Sequence, residues 1–162
     1  MDVQEPDFAP LVAELGERLT RRGARLATAE SCTGGWIAKV LTDRPGTSHW
    51  FDRGFVTYSN QAKQEMLGVP AETISTHGAV SRETVLAMAA GALAHSDADF
   101  SVAVSGIAGP GGGTPDKPVG TVWLAWGTPE GVEAACEHFP GDRTQVRAAA
   151  VARALQGLLE RL

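Results

Sequence analysis

The sequence predicts an α/β domain, a three-layer α/β/α sandwich around a mixed β-sheet. Three observations carry that expectation. Helical and strand-like segments follow one another in the order αβαβααβββα. The strongest strand signal, Phe100-Ser101-Val102-Ala103-Val104, has the nearly continuous apolar character that a strand covered on both faces requires. Towards the C-terminus two β-rich runs flank a turn, which adds an antiparallel hairpin to strands otherwise separated by helices.

Each element has a local reason. Phe8, Leu11, Val12, Leu15 and Leu19 fall on one helical stripe that Gly23 ends. Residues 25–29 read as a short strand, and Glu30-Ser31-Cys32-Thr33-Gly34-Gly35 turns the chain into a helix with apolar positions at Trp36, Ile37, Val40 and Leu41. Pro45-Gly46 makes residues 43–48 a loop, and residues 50–57 are aromatic and β-branched enough for a second strand. Ser59 or Asn60 can cap a short helix through Leu67, Pro70 opens a further helical turn up to Ile74, and Ser81 caps a long Ala-rich helix to about His95. After the strand at 100–104, the stretch from Gly106 to Pro115 is too rich in glycine and proline for regular structure. Residues 119–126 and 132–139 form the hairpin around Thr128-Pro129-Glu130-Gly131. Asp142, with Gln145 three residues on, starts the last helix in the manner of a capping box, and Val146, Ala150, Val151, Leu155, Leu158, Leu159 and Leu162 lie on or near its apolar stripe.

Composition narrows the function. The chain has 162 residues, with 14 Lys and Arg against 19 Asp and Glu, for a net charge of −5. A chain of about 150 residues buries roughly 68–70% of its unfolded surface, so a single domain over residues 1–162 needs neither metal nor disulfide to hold a core. A pI near 5.3 argues against a sequence-independent nucleic-acid binder and against attachment to an anionic membrane surface. The longest run of apolar residues and glycine, Val85 to Ala94, falls far short of the roughly 20 that span a bilayer. The acidic segment Met1 to Asp7 lacks the basic and apolar regions of a secretory signal, so a cytoplasmic location is expected. In that compartment Cys32 and Cys136 are read as free thiols. His49, His77, His95 and His138 show no metal-ligand spacing, neither cysteine has a partner two to four residues away, and no metal is expected.

Four features carry candidate chemistry. Ser31 follows a strand and precedes Thr33, Gly34 and Gly35 at a helix start, where free N–H groups favour an anion or a developing oxyanion. The plain alternative is that Ser31 or Thr33 is an N-cap, and the absence of G-x-S-x-G excludes an ordinary α/β-hydrolase elbow. Tyr58 and Lys63 are five residues apart, so on one helix they would diverge by about 140°, and they converge only across a strand-to-helix turn. Their spacing is one residue longer than the Tyr-x-x-x-Lys of short-chain oxidoreductases, and by itself Lys63 reads first as a solvated helix residue. The loop from Ser105 to Lys117, with Gly106, Gly109, Gly111 and Gly112, either binds a phosphate or carboxylate through its N–H groups or is a mobile connection; it lacks the Gly-Lys-Ser/Thr of a Walker A loop. Arg143 and Arg147, four apart at the start of the last helix, share a face that either clamps an anion or is merely solvated.

Five ordered motifs bear a resemblance. They are Thr28-Ala29-Glu30-Ser31-Cys32-Thr33-Gly34-Gly35, then Gly54-Phe55-Val56-Thr57-Tyr58-Ser59-Asn60 with Lys63, then His77-Gly78-Ala79-Val80-Ser81, then Ser105-Gly106-Ile107-Ala108-Gly109-Pro110-Gly111-Gly112, and Lys117-Pro118-Val119-Gly120-Thr121-Val122. From about Leu11 to Leu159 the chain closely resembles the CinA C-terminal family of nicotinamide-nucleotide amidohydrolases. The resemblance implies hydrolysis of the carboxamide of nicotinamide mononucleotide to nicotinic acid mononucleotide and ammonia, in pyridine-nucleotide salvage, with no metal or organic cofactor. It implies Ser31 as nucleophile, Tyr58 and Lys63 beside it, and Ser105 near the ring or amide, a position that is often Thr in similar sequences. It implies the stand-alone form of the family, usually a homodimer.

The residues suit that chemistry. A carboxamide needs a nucleophile, a base, oxyanion donors and an acid for departing ammonia. Ser31 can attack if Lys63 is neutral, Tyr58 can relay a proton or orient the amide, and N–H groups around Thr33, Gly34 and Gly35 can serve as oxyanion donors. The glycine loop with Arg143 or Arg147 can hold the nucleotide phosphate. Two other readings stand beside it: a non-catalytic nucleotide-binding or competence-related module, and an amidase that uses the Cys32 thiol.

Overall fold

The strands of the sheet divide their side chains between two helical layers of different character. In the computed structural model, which describes residues 5–162, the chain runs α1 (Ala9–Arg22), β1 (Leu26–Glu30), α2 (Trp36–Thr42), β2 (Phe51–Val56), α3 (Asn60–Leu67), α4 (Ala71–His77), α5 (Arg82–Ala94), β3 (Phe100–Gly106), β4 (Thr121–Thr128), β5 (Gly131–His138) and α6 (Arg143–Leu159). Residues 1–4 of the acidic N-terminal segment lie outside the described residues.

The sheet order is β2-β1-β3-β4-β5, with β1 parallel to both neighbours and β3, β4 and β5 antiparallel in turn. The fold is therefore the expected three-layer α/β/α sandwich with a mixed sheet. From β1 the chain moves outward to β2 and then back across β1 to β3. Because such crossovers keep one hand, α2 lies on one face and α3, α4 and α5 on the other. Leu26, Phe100, Val102, Leu124 and Trp126 face the layer of α1, α2 and α6. Ala27, Ala29, Ala103 and Ala125 face α5, so this Ala-rich helix sits on a floor of methyl groups.

Local signals behave as expected at most boundaries. Gly23 closes α1 in the left-handed region, and Ser59 and Ser81 accept hydrogen bonds from Ala62 N and Thr84 N. Asp142 and Gln145 form a reciprocal capping box at α6.

Several boundaries differ from expectation. The first strand begins at Leu26 rather than residue 25 and runs on to include Glu30. Within the expected loop of residues 43–48 a 3₁₀ turn begins, spanning Thr47–His49. The helical turn after Pro70 continues past Ile74 to His77, giving three helices between β2 and β3. Ser105 and Gly106 belong to β3 rather than to the loop, because both pair with β4, Ser105 opposite Trp123 and Gly106 opposite Val122. Gly106 has no side chain to obstruct the Val122 side chain, so ladder pairing overrides its turn propensity. The hairpin strand begins at Thr121 rather than 119, since Gly120 has φ +96° and a Cβ there would collide with the Phe139 carbonyl.

Candidate active site

Parallel strands aim their carboxyl ends at one edge of the sheet, and the crevice there is the usual ligand site of such folds. Ser31 follows β1 directly, Tyr58 follows β2, and Ser105 lies in the last turn of the β3 ladder. These residues line one cleft of about 270 Å³ together with Cys32, Lys63 and Arg143. Asn60, Ala79, Val80, Gly106 and Ala108 complete its wall.

The turn after β1 is held from inside the protein. Ser31 N–H donates to the Val104 carbonyl at 3.0 Å, and Gly34 N–H donates back to the Ser31 carbonyl at 3.0 Å. Glu30 is fully buried, and its carboxylate accepts from Thr33 Oγ1 at 2.6 Å, Ile37 N at 2.8 Å and Ala38 N at 3.1 Å. The start of α2, expected to be open to an anionic ligand, is thus already occupied by the chain's own carboxylate.

Lys63 is 1% exposed, and its amine lies 3.1 Å from Ser31 Oγ. It donates to the carbonyls of Thr57 at 3.0 Å and Tyr58 at 3.3 Å, with the Ser59 carbonyl at 3.5 Å. The strand-to-helix turn through residues 57–59 supplies all three. Carbonyls only accept, so Ser31 is the one partner able to donate to the amine. Burial without a carboxylate partner among the described residues lowers the Lys63 pKa from its ordinary value. In its neutral form the amine can give two hydrogens to the carbonyls of Thr57 and Tyr58 and turn its lone pair to Ser31.

The remaining expected residues divide. Tyr58 meets Lys63 through its carbonyl, whereas its exposed ring carries the hydroxyl to Arg143, whose Nη2 donates to it at 3.3 Å. Nothing in these contacts joins the phenol to Ser31. Arg143 Nη1 donates to the Gly109 carbonyl at 2.9 Å, which ties the glycine loop to the mouth of the cleft. Gly106 lines the cleft itself, whereas Gly111 and Gly112 lie in the exposed part of the loop. Arg147 parts company with Arg143, reaching the Cys32 and Thr33 carbonyls beside a neighbouring depression lined by Thr33, Gly34 and Gly35. Burial pushes the Cys32 thiol up to about 11, so it is held protonated beside Ser31.

Glu30 and Asn60 are the polar residues of the site that sequence patterns passed over. A carboxylate ending an otherwise apolar strand, seven residues before the amide it caps, was the available signal for Glu30.

Comparisons with known proteins give the family. The model of the CinA C-terminal domain matches residues 8–162. The chain belongs to the CinA C-terminal domain family. It is 54% identical over 156 residues to the nicotinamide-nucleotide amidohydrolase PncC of Escherichia coli strain K12, spanning 95% of this chain and 94% of that protein. It is 55% identical over 150 residues to the PncC of Pseudomonas putida, spanning 93% and 94%. Among solved structures, the competence/damage inducible protein CihA of Agrobacterium tumefaciens superposes with a TM-score of 0.93 at 49% identity, covering 99% of this chain and 98% of that one. In this CinA C-terminal domain no described helix is long and apolar enough to cross a membrane. No group of three or more His, Cys, Asp or Glu among its described residues is placed to hold a metal ion.

Proposed function

We propose that this protein hydrolyses the carboxamide of nicotinamide mononucleotide to nicotinic acid mononucleotide and ammonia, a step of pyridine-nucleotide salvage, with Ser31 as nucleophile and Lys63 as its base. The observation that carries the reading is the buried Lys63 amine 3.1 Å from Ser31 Oγ, with no carboxylate among the described residues to hold it charged. Lys63 takes the Ser31 proton as Oγ attacks the amide carbon, and the carbonyl becomes an oxyanion. The protonated amine then gives its proton to the amide nitrogen, the C–N bond breaks and ammonia leaves. Water, deprotonated by Lys63, attacks the resulting ester, and Lys63 returns the proton to Ser31 Oγ as the acyl C–O bond breaks, which releases the acid and restores both groups.

Ser105, 1% exposed and lining the cleft, is suited to orient the amide, and Arg143 at the mouth is suited to the nucleotide phosphate. The Tyr58 ring, 62% exposed beside Arg143, is suited to cover the pyridine rather than to relay a proton. The activity for which these relatives are named supports the substrate class. Release of ammonia from nicotinamide mononucleotide by the purified protein tests the reading, and a module that only binds nucleotides releases none. A cysteine amidase is disfavoured by the protonated, buried Cys32 thiol. A homodimer and a cytoplasmic location are part of the same proposal, checked by sedimentation and by cell fractionation.

A further inference from the structure

Arg147, on the second turn of α6, does not line the Ser31 cleft. It stands across the Ser31-to-Gly34 turn from it, with its guanidinium 5.5 Å from the centre of the Trp36 ring. Its Nε donates to the Cys32 carbonyl at 3.0 Å and its Nη2 to the Thr33 carbonyl at 3.1 Å. The planar fork therefore holds two successive peptides at once through donors fixed in one plane, a rigid geometry that an ammonium on a flexible stem lacks.

Peptide planarity carries the consequence. In a trans peptide the N–H points opposite to the C=O, so fixing the Cys32 carbonyl towards Arg147 sends the Thr33 N–H the other way. The Gly34 N–H, fixed likewise through the Thr33 carbonyl, is used up on the Ser31 carbonyl. Among the described residues, no acceptor takes the Thr33 N–H. We infer that Arg147 is a positioning residue that aims the Thr33 N–H at the oxyanion formed beside Ser31. It acts through the backbone and touches neither substrate nor phosphate. This rests on the serine-amidase reading and adds to it the source of oxyanion stabilisation.

The test compares Arg147→Lys and Arg147→Ala with the parent, using nicotinamide mononucleotide and the riboside that lacks its phosphate. Loss of a correctly aimed oxyanion donor should lower kcat at least about tenfold with KM little changed, on both substrates. Guanidinium ion added to Arg147→Ala should restore part of kcat, a response that a general loss of folding would not give. Arg147→Lys keeps the charge and stem, so it should fold and still be impaired. Raised KM at parental kcat, confined to the phosphorylated substrate, would make Arg147 a phosphate ligand and overturn the inference. Parental kinetics in Arg147→Lys and Arg147→Ala would overturn it too. If the riboside is not turned over, the division between kcat and KM on the nucleotide alone decides. A parent protein that releases no ammonia counts instead against the amidase reading.

Discussion

At Lys63 three backbone carbonyls and Ser31 Oγ surround an amine that no carboxylate neutralises among the described residues. Ser31→Ala should fold yet lose several orders of magnitude in kcat, and Lys63→Ala nearly as much. Because the two groups act together, the double variant should be little worse than either single one. Cys32→Ser should retain most activity; an active Ser31→Ala beside a dead Cys32→Ser would transfer the role to the thiol. Burial lowers the Lys63 pKa, so kcat/KM should rise with pH along a limb centred below the ordinary lysine value of about 10.4. The unfolded chain keeps that proton to higher pH than the folded one, so stability should also rise with pH between the two values. Lys63→Ala should flatten that rise in denaturant titrations. Arg143→Ala should raise KM for the nucleotide by roughly ten- to a hundredfold, equivalent to losing a charge-assisted contact of about 1.5–3 kcal/mol. The riboside should show no such penalty, and equal KM effects on both would remove the phosphate from Arg143.

Elements position these side chains, and α3, which carries Lys63, depends on one close crossing. Gly91 of α5 lies against the end of α3, where a Cβ would collide with the Leu67 carbonyl oxygen. Helix propensity alone favours Gly91→Ala by about 1 kcal/mol. Overpacking against rigid backbone costs about 1–3 kcal/mol, so the collision wins and the variant should unfold at lower denaturant. Its kcat should fall as well, because α3 must move with the amine. A stabilised variant with parental activity would show that α5 can slide freely on α3. The caps at Ser59, Ser81 and Asp142 were legible because each reaches only three residues along the chain. The end of β3 was not, because Gly106 keeps its strand geometry only through pairing with Val122 on β4.

Across the whole molecule, the switch of direction at β1 brings the ends of three parallel strands together, and the site forms where they meet. In the proposed mechanism, base, nucleophile and oxyanion donor are all supplied by the chain itself. Activity should accordingly survive exhaustive chelation at full rate. Loss of activity that Zn²⁺ or Mg²⁺ restores would require a metal role that the Ser31–Lys63 chemistry does not contain. The two helical layers should also differ in tolerance, since α5 rests on alanines while α1, α2 and α6 rest on large side chains.

Local order and family motifs alone determined the α/β class, most helix caps, and the place of Ser31 between a strand and a helix. These signals act within one turn of chain, where capping hydrogen bonds and side-chain periodicity are set by neighbours in sequence. The motifs had already set Lys63 beside Ser31 by resemblance, but only the tertiary structure decided that its amine reaches Ser31 through a ring of backbone carbonyls, or that Glu30 fills the start of α2. It also separated Arg143 from Arg147, which sequence spacing had put on one face. The helix does hold both on that face, but the Ser31-to-Gly34 turn packs between their tips. Which side of a turn each tip reaches depends on how two distant segments bury their surfaces against each other, and no local pattern records that.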